Sequence, residues 1–379
     1  MNPLHVLIAG GGIGGLCLAQ GLTKSGIRAT VFDRDASAGI RAQGWRITLK
    51  EDGVRALRDC LPENLFDLSV ATSIRQAATL ALTDHRLTPK FVKPVPPLPV
   101  DAGFGVNRLT LREILLTGLD VRFGKTFERF DQCADGRVRA HFADGTTATG
   151  DLLVGAEGTN SAVRNLIAPN AEFDDLGTMI YGRSPMMPLP DILADSFNNM
   201  TGPDGVTAGI VTCRTREPAG AAAARLAPEA RLTEIPDYLA WTVRGKPFPA
   251  ANAGKVGEPD LVGETLHHLA VESVRDWHPT VREVVASADV SATFLVTLRA
   301  ARPVKPWHTT NVTLLGDAIH TMSPSRGEGA NTTLRDARLL RSALAELPLA
   351  EAKARYEKDM LDYGLRAVAQ SVREPLFRR

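Results

Sequence analysis

The stretch LHVLIAGGGIGGLCLA, residues 4–19, decides the reading of this chain. Its first six residues are a short apolar run, the pattern of a buried strand. Five glycines follow within six positions, and the apolar run that resumes has helical spacing. The segment lacks a basic leader, so a strand entering a glycine turn fits better than a secretory signal. Gly10, Gly12 and Gly15 satisfy G-x-G-x-x-G, with Ile13 and Gly14 opening the helix. Glycine there permits a tight turn, close approach of backbone to a pyrophosphate, and tight helix–strand packing. The free N–H groups of the helix N-terminus suit an anion. RATVFD is the next strand and ends on Asp33, 23 residues after Gly10. That spacing suits an acidic side chain on an adenosine ribose, and it argues against a 2′-phosphate there. Arg34 either stacks near an adenine or is solvated. The loop by itself does not separate FAD from NAD.

Working outward, residues near 51–69 and LTLREILLTGL from Leu109 read as helices. Alternating segments follow and end in an apolar strand, Leu152–Val154. PKFVKPVPPLP, starting at Pro89, reads as an extended connection. Periodicity weakens between about Phe173 and Leu298. It recovers at NVTLLGDA, a strand running into a second glycine-rich loop, and two helices follow near 330–347 and 349–372. A dinucleotide-type sheet is therefore built from both ends of the chain, with a second domain inserted.

Composition bounds the rest. With 379 residues, two domains are the expectation. Lysine plus arginine is 44 and aspartate plus glutamate 43, which gives no reason to expect nucleic acid as partner. No apolar run is long enough to span a membrane. Cys17, Cys60, Cys133 and Cys213 form no CxxC pair and read as reduced thiols of a cytoplasmic protein. No HxH, HExxH or CxxC announces a metal, and no G-x-S-x-G announces a serine nucleophile.

Two further motifs narrow the reading: DLLVGAEGTNSAVR at 151–164 and LLGDAIHTMSPSRGEGANTTLRDA at 314–337. With the first loop, in this order, they resemble the FAD-dependent aromatic hydroxylases, the group A flavoprotein monooxygenases typified by para-hydroxybenzoate hydroxylase. The resemblance covers about the first 170 residues and the last 80 or so, and is weak in between. It implies an α/β fold: a Rossmann-like FAD-binding domain from residues 1–72, 102–172 and 300–379. An inserted α+β substrate domain on a mostly antiparallel sheet would take 73–101 and 173–299.

The resemblance also implies roles. Glu157, where the family has aspartate, and Arg164 would serve the pyrophosphate and nicotinamide nucleotide use. Gly316 and Asp317 would meet the ribityl chain. Gly327, Gly329, Ala330 and Asn331 would present a second helix N-terminus to the flavin edge that becomes negative on reduction. Pro324 would sit beside the ring. His320 matches the family pattern and reads as structural, and Arg326 and Glu328 read as a local ion pair. Arg41 and Arg108 match arginines near the FAD pyrophosphate or ribityl chain. Trp45 and Arg46 are expected in the substrate pocket.

The implied cycle consumes NAD(P)H, adds O2 at flavin C4a to give a hydroperoxide, and transfers one oxygen to an aromatic or polyketide-like small molecule. NAD(P)H would bind transiently, since no second G-x-G-x-x-G is present. Baeyer–Villiger oxidation or epoxidation by the same scaffold stays open, as does a non-oxygenating flavin-binding protein or NAD(P)H oxidase. A flavin halogenase would carry W-x-W-x-I, which is absent.

Overall fold

The computed structural model describes residues 4–37, 45–245 and 263–373. A five-stranded sheet forms around His5–Ala9. Arg28–Phe32 lies on one side of that strand, followed by Val121–Arg122; Leu152–Gly155 lies on the other, followed by Val312–Leu314. Every pair is parallel. Val6, Leu7 and Ile8 are fully buried, as a strand covered on both faces must be. The chain passes from His5–Ala9 through the helix Ile13–Lys24 to Arg28–Phe32, while Leu152–Gly155 joins from the opposite side. Strand order therefore reverses beside Ala9, and the crevice beyond the strand ends is where such sheets bind ligands.

Helices Glu51–Cys60, Glu63–Ala71, Arg108–Leu116 and Gly329–Glu346 complete this layer, with Leu349–Arg373 packed on Gly329–Glu346. One continuous apolar core runs through all of them. A meander of Phe127–Gln132, Val138–Phe142 and Thr147–Gly150 precedes Leu152–Gly155.

The second large element is a seven-stranded sheet. Its order is Phe294–Ala301, Phe173–Pro185, Tyr238–Arg244, Thr207–Cys213, Ser196–Thr201, Thr79–Asp84 and Pro89–Pro94. The sheet is mixed, with five antiparallel pairings and one parallel among the described residues, which refines the expectation of a mostly antiparallel one. Thr79–Asp84 arrives from the first part of the chain and pairs in parallel with Ser196–Thr201, which belongs to a later segment. A parallel neighbour needs a long connection, and here more than a hundred residues intervene. Pro89–Pro94 is the exposed edge strand of this sheet rather than a bare connection.

Alternation gives the large sheet two different faces. Leu239, Trp241 and Val243 point to a core shared with helices Gly263–Ser273 and Pro279–Ala286. Trp241 lies flat on Gly182, where a side chain would strike its ring, and its indole N–H donates to Ser184 Oγ at 3.0 Å. Tyr238 and Ala240 point the other way, into a small cluster with Ile74, Val211, Cys213, Phe197 and Trp45. Trp45 immediately precedes Arg46–Lys50, which pairs with Gly103–Asn107 between the two layers. All four cysteines are free thiols. Among the described residues, no helix is long and apolar enough to cross a membrane, and no group of side chains has metal-ligand clustering.

Candidate cofactor and substrate site

The first glycine loop does what its spacing implies sterically. Gly10 has φ +115°, and a Cβ there would stand 2.8 Å from the Glu157 nitrogen and nearer still to the Ala156 carbonyl. The strand end of the second motif therefore packs directly on the first loop. Gly12 caps the helix Ile13–Lys24 without any side-chain hydrogen bond, so the first-turn amides at Ile13, Gly14 and Gly15 face outward. Gly14 lets this helix press on Gly329–Glu346: a Cβ would overlap Thr333 Cγ2 and lie 2.7 Å from Leu315 Cδ2.

Asp33 is almost completely buried, and its carboxylate is held by the protein. Oδ2 accepts from the Gly11 N–H at 2.6 Å and Oδ1 from Asp35 at 2.8 Å. Arg112 completes this support. Its Nε donates to the Gly11 carbonyl at 2.9 Å, and Nη2 reaches Asp33 at 3.4 Å and Asp35 at 3.2 Å. Sequence reasoning missed Arg112; its only signal was an arginine one helical turn after Arg108. Arg34 is exposed. Arg41 lies outside the described residues.

In the second motif, Glu157 caps a helix. It accepts from Ser161 Oγ at 2.6 Å and from the Ala162 and Val163 amides at 3.1 Å, at the start of Ala162–Ile167. Burial raises its carboxyl above the usual range against those donors. Arg164 points inward. Nη1 donates to the Thr159 carbonyl at 2.6 Å and the Ala318 carbonyl at 3.2 Å, and the guanidinium covers the Phe173 ring at 4.6 Å. It ties the second motif to the third.

The third motif holds the most exposed chemistry. Gly316, at φ +67°, turns the chain so that Asp317 faces the start of Gly329–Glu346; a Cβ on Gly329 would lie 4.0 Å from Asp317 Oδ1. The Asp317 carboxylate has no hydrogen-bond or ion-pair partner among the described residues. Burial pushes its carboxyl up and the charges of His320 and Arg108 pull it down, while Asp336 pushes it further up. Pro324 and Gly327 are exposed on a short turn, with Gly327 left-handed. Gly329 and Ala330 form the first turn of the helix, whose cap residue Glu328 makes no side-chain capping bond. Asn331 braces the loop: Nδ2 donates to the Thr48 carbonyl at 3.0 Å and the Gly327 carbonyl at 2.9 Å, and Oδ1 accepts from Lys50 N at 2.8 Å. Glu328 pairs with Lys50, whose ammonium also donates to the Arg326 carbonyl at 2.9 Å.

The face of the large sheet opposite Leu239, Trp241 and Val243 carries an aromatic cluster. Tyr181 and Phe294 stack in parallel with centroids 5.8 Å apart, and Trp45 meets Phe294 edge-on at 6.1 Å. Arg183 lies over the Trp45 ring at 4.3 Å and pairs with Asp289 at 2.9 Å. The Trp45 indole donates to the Ala292 carbonyl at 3.1 Å. Arg46 covers Phe197 at 5.7 Å. Burial pushes Tyr181 up to about 12, and the charge of Arg108 opposes the rise. The same Arg108 acts on Asp317, so its charge is felt by both the aromatic wall and the third motif. Tyr181, Arg183 and Phe294 were not foreseen; only the register of the sheet brings them to one face.

The FAD binding domain family matches residues 270–370, and the NAD(P)-binding Rossmann-like domain family matches residues 8–75. A solved structure from Photorhabdus luminescens subsp. laumondii TTO1, assigned as an FAD-containing monooxygenase, is 32% identical. The alignment covers 98% of this chain and 97% of that one, with a TM-score of 0.80. The chain belongs to the FAD-dependent monooxygenases.

Other relatives of this monooxygenase chain differ in length. The dual O-methyltransferase/FAD-dependent monooxygenase elcB of Phaeosphaeria nodorum is 34% identical over 89% of this chain and 40% of its own. The chain spans less than half the length of the dual-function curated relatives it matches. The aurachin C monooxygenase/isomerase of Stigmatella aurantiaca is 28% identical over 98% of this chain and 88% of its own. The residues present fit the family's FAD. Two helices that touch at Gly14 and Thr333 offer N-termini without side-chain caps, and Asp317 is an ionisable acceptor waiting for a donor such as a ribityl hydroxyl.

Proposed function

We propose that this monooxygenase consumes NAD(P)H and inserts one atom of O2 into a flat aromatic small molecule held against the large sheet. The observation that carries the reading is the aromatic wall Trp45–Tyr181–Phe294, which feels the same Arg108 charge as Asp317, a carboxylate without a hydrogen-bond partner among the described residues. In this reading residues 1–72, 102–172 and 300–379 hold FAD, and 73–101 with 173–299 hold the substrate.

Bound FAD would supply the electrons that make one oxygen atom of O2 transferable. The chain's own residues bind, orient and exclude water. The Ile13–Gly15 amides receive the pyrophosphate, and Asp33 and Arg112 fix the loop that presents them. Asp317 accepts a ribityl hydroxyl, and Arg108 adds a positive charge beside it. The amides of Gly329 and Ala330 face developing negative charge on the ring edge, where a helix N-terminus is stabilising. Pro324 closes the loop beside the ring. Trp45, Tyr181 and Phe294 stack on an aromatic substrate and keep water from it. Tyr181 keeps its proton at neutral pH and so donates to a substrate oxygen. Arg46 stands at the same wall.

The test is NADPH or NADH oxidation under air with a panel of phenols and fused aromatics. An effective substrate stimulates oxidation and gains one 18O atom from 18O2. Equal oxidation with every aromatic, yielding only H2O2, refutes the oxygenase reading and favours a simple oxidase. An inserted ring oxygen or an epoxide would instead reassign the reaction type.

A further inference from the structure

We propose that Asp336 is a positioning residue for the flavin: its buried carboxylate fixes the Gly316–Asp317 turn from behind, with His320 and Tyr363 locking the carboxylate in place. This rests on the reading that Asp317 holds FAD. Asp336 lies on the helix Gly329–Glu346, nineteen residues after Asp317, with no exposed surface. Oδ2 accepts from the Gly316 N–H at 2.7 Å and from His320 Nε2 at 2.7 Å. Oδ1 accepts from the Tyr363 hydroxyl. One carboxylate thus joins the strand-end turn before Asp317, the short helix after it, and the last helix of the described chain.

The turn needs this support. Gly316 has φ +67° and ψ −140°, a conformation closed to side-chain-bearing residues, so its peptide orientation is not set by sterics alone. The carboxylate takes the amide hydrogen of that peptide and so selects its orientation. Any rotation would swing Asp317, the next residue, out of line with Gly329. His320 is equally constrained. It is buried, packs against Gly364, and its Nδ1 has no partner among the described residues, so the Asp336 bond and packing hold its ring. Tyr363 is pinned in turn by Arg335, which lies 4.0 Å over its ring. Ser325 beside Pro324 donates to the Ser371 carbonyl at 2.6 Å, so the last helix grips the same loop a second time. A buried carboxylate that accepts on both oxygens restricts the backbone it holds to one arrangement.

The experiment compares Asp336→Asn, Tyr363→Phe and Asp317→Ala as apoproteins reloaded with FAD. FAD Kd and the visible circular dichroism of the bound flavin are read at a temperature well below each melting point, and Tm is taken from a separate thermal melt. Asp336→Asn places an amide where two donors converge, and a roughly tenfold weaker Kd with altered visible dichroism is expected. Tyr363→Phe leaves the Gly316 and His320 bonds intact, folds where the asparagine variant does not, and should show a smaller change in the same direction. If Asp317→Ala weakens FAD while the other two alter only Tm, Asp336 is merely structural and the proposal fails. If Asp317→Ala leaves Kd and dichroism unchanged, the reading of Asp317 fails first.

Discussion

Replacing Gly14 with alanine adds one methyl where the two cofactor-facing helices touch. That methyl would stand 2.7 Å from Leu315 Cδ2 and closer to Thr333 Cγ2. Carbon pairs attract at about 3.5–4.0 Å, so both contacts are repulsive and the helices must separate. Overpacking of this kind costs about 1–3 kcal/mol. For a chain of 379 residues that is a fall of roughly 1–4 °C in Tm, at about 1.3 °C per kcal/mol. The displaced helix carries the Gly15 amide and the turn at Gly12, so FAD should bind roughly tenfold more weakly, or about 1.4 kcal/mol. Thr333→Ser removes Cγ2 and one of the two clashes. In the double variant it should recover part of both losses, with a coupling of about 0.5–1.5 kcal/mol. The assay is a set of four denaturant melts and four FAD titrations: wild type, each single variant and the pair. A Gly14→Ala protein that melts within about 1 °C of wild type, or strictly additive effects in the cycle, would refute the contact argument.

Three other outcomes are expected. Arg112→Lys loses the fork that joins the Gly11 carbonyl to Asp33 and Asp35; Tm should fall by a few degrees (about 1–3 kcal/mol) and FAD Kd should rise, both absent if the loop stands alone. Glu157→Ala strips the acceptor from the Ala162 and Val163 amides but leaves the Ser161 cap of that helix, at a cost of about 1–2 kcal/mol read by urea denaturation; a larger effect on FAD affinity than on stability would assign Glu157 to the cofactor. Burial alone would lower His320, but the charge and hydrogen bond of Asp336 overrule it and raise the folded pKa above 6.5. Its stabilisation is therefore complete below pH 6.5 and is lost as pH rises through the folded value, and His320→Gln should flatten that slope in melts from pH 6 upward.

Local patterns were legible in the sequence where physics is local. The strand–glycine–helix run at 4–19 and the loop before Gly329 announce themselves, because a buried strand, a turn and a helix start each need particular residues within a few positions. Glu157 was read toward the cofactor because of its motif, yet the serine four residues on was the sign of a helix cap. Arg164 is buried because its partners, the Thr159 and Ala318 carbonyls, come from two distant motifs. Tyr181, Arg183 and Phe294 were illegible for a sharper reason. The face that carries Tyr181 and Phe294 is itself aromatic, so the sequence pattern does not separate it from the apolar face that Leu239, Trp241 and Val243 line. A proline-bounded strand at Pro89–Pro94 likewise has no pattern of its own until Thr79–Asp84 pairs with it.

That last strand bears on solubility. It leaves a row of unpaired backbone groups and two bare apolar side chains, Phe91 at 47% and Val92 at 44% exposure, an invitation to stack with another copy. Pro89 and Pro94 withhold the amide hydrogens such stacking would use, and Lys90 and Lys93 place like charges opposite each other across any symmetric pairing. Two prolines and two lysines thereby blunt the rim of the sheet against edge-to-edge pairing.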